Sequence, residues 1–204
     1  MESALCQGGT DAGLRLIETM HWDGAAVRHL NLHLARLRAG CAVLGWAAPD
    51  LAPLHGWRGV PARLRLTCDA AGVMVLEAGP LPPPAPLWRL GLAATRLASD
   101  DVWLGVKSTR RGVYDAARAG LPAGLHEVVF QNERGEVCDG TITTLFFDRG
   151  AGLRTPPLSS GLLPGVLRAS IGAQEEVLLA RDLGQVRLWV GNALRGLIAA
   201  AFVG

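Results

Sequence analysis

Lys107 is the one lysine in this chain; the other 19 of its 20 basic residues are arginines. Arginine can replace lysine wherever charge alone matters. It cannot shed a proton and attack a carbonyl, so a solitary lysine points to amine chemistry. A lysine left by chance on the surface is the competing explanation. The chain also has one tyrosine, Tyr114, seven residues beyond Lys107. On a helix that starts early, this spacing puts both side chains within about 20° of one azimuth, facing one pocket. A phenol acting beside the lysine and an ordinary core tyrosine both remain open. Asp139 precedes Gly140, a pair that reads as a turn or as a carboxylate offered at a strand end. Arg110 and Arg111 are adjacent and would point apart on a helix, so one of them, Arg111, is taken as the carboxylate-binding candidate.

The rest of the composition excludes several kinds of function. Among 204 residues, half are hydrophobic and the net charge is only +2. That is ample material for a packed core, and it lacks the basic patch of a nucleic-acid binder. No apolar run reaches the roughly 20 residues needed to span a bilayer. The first residues, Met1 to Gly13, have no basic flank and no long apolar stretch, so no signal peptide is expected and the protein is placed in the cytoplasm. Cys6, Cys41, Cys68 and Cys138 are far apart and read as reduced thiols, with no disulfide framework or metal site. Neither GxGxxG nor GxxxxGK occurs, so no nucleotide loop is expected.

Positioning these groups requires an α+β chain in two parts. Leu14–Met20 reads as a strand, His21–Gly24 as a turn, and Ala25–His29 as the returning strand of a hairpin. Leu30, Leu34, Leu37, Cys41 and Leu44 recur at helical spacing. Strands are expected at Arg63–Thr67 and Val73–Glu77, and the run Gly79–Pro86 (GPLPPPAP) reads as a linker. Residues 1–86 would form a small α/β domain and 87–204 a larger α+β domain. In the second part, Trp88–Ala94 and Trp103–Val106 look like strands, with Lys107 at the end of the latter. Ser108 or Thr109 would cap a helix over Arg110–Arg118. His126–Asn132 and Glu136–Cys138 flank a turn, Thr141–Phe147 is β-rich, and a helix starts near Val166. Val186–Val190 would be a strand, and Leu194–Phe202 a closing apolar helix that favours self-association.

Five short motifs, in this order, resemble the class IV aminotransferases, the fold-type IV pyridoxal-phosphate enzymes. They are His33-x-x-Arg36-Leu37, Lys107-Ser-Thr-Arg-Arg111, Asn132-Glu-Arg-Gly-Glu-Val-Cys-Asp139-Gly140, Thr155-Pro-Pro-Leu158 and Gly161-Leu-Leu-Pro-Gly165-Val-Leu-Arg168. The resemblance implies a two-domain fold like that of D-amino-acid aminotransferase, with pyridoxal phosphate joined to Lys107. It implies that Asp139, where the family usually has Glu, holds the proton on the pyridine nitrogen. Arg36, the helix start Gly165-Val166-Leu167 and the Asn192-Ala193 backbone would hold the phosphate, and Tyr114 would lie near the ring oxygen. Ala193 stands where the family often supplies a hydroxyl, so help there must come from N–H groups. His33 is expected to pack at the helix start without a catalytic role. The run from Lys107 to Tyr114 and the ending Asn-Ala-Leu-Arg-Gly look most like the 4-amino-4-deoxychorismate lyase branch. That reaction would release pyruvate and leave 4-aminobenzoate, a folate precursor. A branched-chain or D-amino-acid transaminase, or a relative that binds without turnover, are the alternatives. The partners implied are a small amino-bearing substrate and a second copy of the chain; no nucleic acid, membrane or metal is expected.

Overall fold

The structure is a computed structural model that describes residues 5, 9 and 11–204; Cys6 and most of the N-terminal segment read above lie outside the described residues. The chain splits into two compact units. The first is Met1–Pro83 with Val106–Arg110, and the second is Pro84–Gly105 with Arg111–Gly204.

The first unit is a three-stranded sheet with one long helix. Strands β1 (Leu16–Trp22), β2 (Ala62–Cys68) and β3 (Met74–Gly79) lie in the order β1-β2-β3, and both pairings are antiparallel. Helix α1 (Leu30–Leu44) comes between β1 and β2 in sequence, and a four-residue helix, α2 (Ala52–His55), follows it. Ala25–His29 is not the expected returning strand. The Asp23 carboxylate accepts hydrogen bonds from the Ala25 and Ala26 N–H groups, which takes both donors away from a ladder. Only an isolated bridge from Trp22 to Val27 remains, and His29 (φ 55°) leads directly into α1. The buried face of α1 is also turned from the one expected. His33, Leu37, Gly40, Cys41 and Leu44 are buried, while Leu30 and Leu34 are only partly covered. Gly40 lets the helix approach β1, since a Cβ there would stand 3.0 Å from the Leu16 methyls.

Val106–Arg110 belongs to this first unit because it pairs with β1. Ile17 N–H donates to the Lys107 carbonyl at 2.9 Å and Thr109 N–H to the Arg15 carbonyl at 2.8 Å. Leu16 and Ser108 form the bridge between them.

The second unit holds an eight-stranded mixed sheet, ordered β6-β5-β4-β11-β10-β7-β8-β9. Its strands are β4 (Leu87–Leu92), β5 (Glu127–Gln131), β6 (Val137–Gly140), β7 (Thr144–Asp148), β8 (Arg154–Thr155), β9 (Gln174–Glu175), β10 (Arg187–Asn192) and β11 (Gly196–Phe202). Helices α3 (Gly112–Ala119) and α4 (Val166–Ile171) accompany it. Its core includes Trp88, Leu90, Leu145, Phe147, Leu178 and Val190.

Three expectations fail here for identifiable reasons. Trp103–Val106 is not a strand; Val102–Gly105 forms a 3-10 turn because the Asp101 carboxylate takes the Trp103 N–H and the Asp101 carbonyl the Leu104 N–H. Helix α3 starts at Gly112 and not at Arg110, with Arg111 at its N-cap and no side-chain cap from Ser108 or Thr109. Lys107 therefore lies outside that helix, and the azimuth linking it to Tyr114 does not apply. The closing helix Leu194–Phe202 is in fact β11, inside the sheet between β10 and β4. Asn192 Oδ1 accepts from the N–H groups of Leu194 and Arg195, and Gly196 takes φ 74°. This three-residue loop with glycine in the left-handed region is a hairpin, and it starts a strand.

Candidate functional site

In the first unit, β1 is the common support of the two predicted cations. The backbone N–H of Ile17 holds the Lys107 carbonyl, while the next residue, Glu18, holds Arg36. Arg36 donates from Nε to Glu18 Oε1 at 2.8 Å and from Nη2 to Oε2 at 2.6 Å, a two-pronged pair. Such fork geometry aims a guanidinium as well as binding it. His33 Nδ1–H donates to the same Oε2 at 2.6 Å. Glu18 is only 2% exposed. Burial pushes its carboxyl up, but the bonds from Arg36 and His33 outweigh that and hold it below the usual 4.5. His33, expected to pack at the helix start, is buried there and joins Glu18 and Arg36 in one hydrogen-bonded cluster. Lys107 is half-buried on a short run of paired backbone, which fixes the direction in which its side chain leaves.

In the second unit, four predicted residues or their neighbours converge on the segment Asp139–Thr144. Asp139 is 6% exposed, and its Oδ2 accepts from the Leu163 N–H at 3.3 Å. It sits at an irregularity: Gln131 faces Val137 and Val129 faces Gly140, so β6 carries one residue more than β5 across that interval. An extra residue of this kind re-aims a side chain. Arg111 Nη2 donates to the Thr141 carbonyl at 3.0 Å and Nε to Asp115 at 2.8 Å. Asn192 Nδ2 donates to the Ile142 carbonyl at 3.0 Å. Gly165 lies against Thr144, where an added Cβ would come 2.5 Å from Oγ1. Val166 and Leu167 follow in the first turn of α4, where N–H groups have no carbonyl partner within the helix. Leu167 packs toward Gly191, and Ala193 forms part of the β10–β11 loop with only its backbone to offer. Tyr114 meets Phe130 edge-on at 5.1 Å. Burial, and next the Asp139 charge, push its phenol well above the usual value, so it stays a neutral donor.

Two carboxylates that composition and motif did not mark support this arrangement. Glu18 is one. Glu127 is the other, with no exposure at all and hydrogen bonds from Thr141, Ile142 and Thr143. A charged residue inside an otherwise apolar strand run (LIETM, HEVVF) was the available signal, since acids are seldom fully buried unless paired.

Residues 15–201 match the family model for amino-transferase class IV, and the chain belongs to that family. These are pyridoxal-phosphate-dependent enzymes, and this chain is an enzyme of that aminotransferase or lyase type. Among solved structures it is similar to a "Putative amino-acid aminotransferase from Mesorhizobium loti", at 42% identity and TM-score 0.86, covering 93% of this chain and 100% of that one. It is also similar to 4-amino-4-deoxychorismate lyase from Pseudomonas aeruginosa, at 25% identity and TM-score 0.75, covering 92% and 83%. A hypothetical aminotransferase from Mycobacterium tuberculosis, solved in its PLP-bound form, shares the fold at 19% identity and TM-score 0.78, covering 96% and 83%. No curated protein matches.

The side chains present suit pyridoxal phosphate. The cofactor requires an amine, an acid for its ring nitrogen and a cationic or N–H-rich seat for its phosphate. Lys107 is the only side-chain amine in the sequence. Asp139 is a buried acid on a re-aimed strand position, and Arg36 is an oriented cation.

Proposed function

We infer that this chain uses pyridoxal phosphate, held covalently by Lys107, to act on the amino group of a small substrate, and that its reaction is that of a 4-amino-4-deoxychorismate lyase. The observation that carries the cofactor reading is the backbone pairing of Lys107 with β1, which anchors the sole side-chain amine of the protein on a rigid strand. Bound there, pyridoxal phosphate supplies an electron-poor ring that takes up the electron pair freed when a bond at the amino-bearing carbon breaks. Lys107 would be the base that removes the proton from that carbon, and a proton would be delivered to the enolpyruvyl group as it departs as pyruvate. Asp139 would hold the proton on the ring nitrogen, Tyr114 would serve the ring oxygen, and Arg36 with the N–H groups of Gly165–Leu167 and Asn192–Ala193 would hold the phosphate. Arg111 binds a substrate carboxylate. A homodimer in the cytoplasm is the expected form.

The lyase reading is supported by the run from Lys107 to Tyr114 and the loop Asn192–Gly196. Loss of the proton from the amino-bearing ring carbon and departure of the enolpyruvyl group as pyruvate leave an aromatic amine. Purified protein given pyridoxal phosphate and 4-amino-4-deoxychorismate is expected to release pyruvate and 4-aminobenzoate in equal amounts. A second reading, transamination, is favoured by the 42% identity to the Mesorhizobium loti protein and its printed name. If the lyase substrate gives no pyruvate while D- or L-alanine converts the bound cofactor to its amine form, the second reading replaces the first.

A further inference from the structure

We propose that Glu127 is a positioning residue whose buried carboxylate, acting through the Thr141 and Thr143 hydroxyls, fixes the end of the β6 irregularity and so the aim of Asp139. This rests on the cofactor reading above and adds a residue that the family motifs do not mark.

The argument begins with crowding. Glu127 is the first residue of β5, and both of its oxygens are occupied from the same short turn. Thr141 Oγ1 donates to Oε1 at 2.5 Å; Thr143 Oγ1 and the Ile142 N–H donate to Oε2 at 3.0 and 3.2 Å. Its own strand contributes the Val128 N–H to Oε1 at 3.1 Å, and Arg118 Nη1 stands 3.5 Å from the same oxygen. The turn closes on itself where the Gly140 N–H donates to the Thr143 carbonyl at 2.7 Å. Gly140 then lies so close that a Cβ would meet Thr143 Oγ1 at 2.6 Å and Glu127 Cδ at 2.9 Å. Gly140 is also the residue at which pairing with Val129 resumes after the extra residue of β6. Asp139 is its immediate neighbour. Whatever holds Gly140 therefore decides how the extra residue is absorbed and where Asp139 points.

Only a carboxylate satisfies this set. Each oxygen meets at least one backbone N–H, and an N–H cannot reverse its direction as a hydroxyl can. In Glu127→Gln the amide nitrogen would face either Ile142 N–H or Val128 N–H with Arg118, donor against donor, whichever way it is turned. The turn must shift to relieve this, and Gly140 shifts with it.

A cofactor analogue separates positioning from general support. In 1-deaza-pyridoxal phosphate a C–H replaces the ring nitrogen, so it has no atom for Asp139 to serve. Affinities for pyridoxal phosphate and the analogue are read by quenching of tryptophan fluorescence in the full-length protein. Wild type is expected to prefer pyridoxal phosphate. In Glu127→Gln that preference falls roughly ten-fold, while affinity for the analogue changes less than about two-fold. Thr141→Val with Thr143→Val, which keeps the buried charge paired with Arg118, shows the same selective loss and serves if the glutamine variant does not fold. Equal weakening of both ligands, or of neither, overturns the proposal. A wild type that binds both ligands equally overturns it too, by removing the role given to Asp139. A wild type that binds neither defeats the cofactor reading itself, and this inference with it.

Discussion

Lys107→Arg separates charge from nucleophilicity at a single side chain. The positive charge stays, the chain backbone keeps its bonds to Ile17 and Arg15, and the one side-chain amine is gone. Turnover is expected to fall by at least roughly 10³-fold with no change in the thermal midpoint. A variant that retains more than a few per cent of activity would show that another group carries the chemistry. Cysteine reactivity tests a different set of residues. Burial, and then the neighbouring Cys41, push the Cys68 thiol up to about 12. Burial likewise raises Cys41, and burial with the Asp139 charge raises Cys138. Thiolates, not thiols, react with disulfide reagents. Cys41, Cys68 and Cys138 should therefore resist modification at pH 8 in the folded protein and react promptly in denaturant, as read cysteine by cysteine by peptide mass spectrometry. Fast labelling of any of these three in the native protein would contradict their placement.

At the scale of elements, the β1–α1 contact is electrostatic as much as apolar. Glu18→Gln leaves Arg36 and His33 without their shared carboxylate inside the unit. Removing one member of a buried ion pair costs about 3 to 5 kcal/mol. The pH dependence has a definite sign. The folded carboxyl is held below its usual 4.5, so its contribution is complete above that value and is lost as pH falls through the lower, folded one. In urea unfolding, the gap between wild type and Glu18→Gln should be full at pH 7 and narrow in acid; a gap independent of pH would count against the charged pair. The start of α4 offers a steric test. Gly165→Ala forces a Cβ to within 2.5 Å of Thr144 Oγ1, a clash costing about 1 to 3 kcal/mol. Thr144→Ala in the same chain should recover most of it, and strictly additive losses would refute the contact.

These elements also show which features the sequence made readable. Lys107 and Tyr114 stood out because each is the only residue of its kind, Asp139 and Gly165 because motif order marked them, and Asn192 only through the family resemblance. Most strands fell where alternation put them. Glu18 and Glu127 stayed hidden because the side chains that bond them most closely, His33 and Arg36 for the first and Thr141 and Thr143 for the second, lie 14 to 18 residues away and meet them only after the chain folds. Leu194–Phe202 was misread because a short apolar run has no period to choose between strand and helix. The Asn192 carboxamide and Gly196 decided it. Ala25–His29 failed for a similar local reason, the Asp23 carboxylate. The pairing of 106–110 with β1 is a long-range contact that no window of sequence contains.

For the whole molecule, membership of amino-transferase class IV over residues 15–201 narrows the chemistry to aminotransfer or elimination, and everything proposed within it turns on one nitrogen atom. Because the sequence contains no other lysine, that nitrogen can be tagged without ambiguity. The protein is incubated with pyridoxal phosphate, reduced with borohydride, digested and analysed by mass spectrometry. The account predicts one phosphopyridoxyl group per chain, on the peptide carrying Lys107. An unmodified Lys107 peptide from folded, cofactor-saturated protein would contradict it.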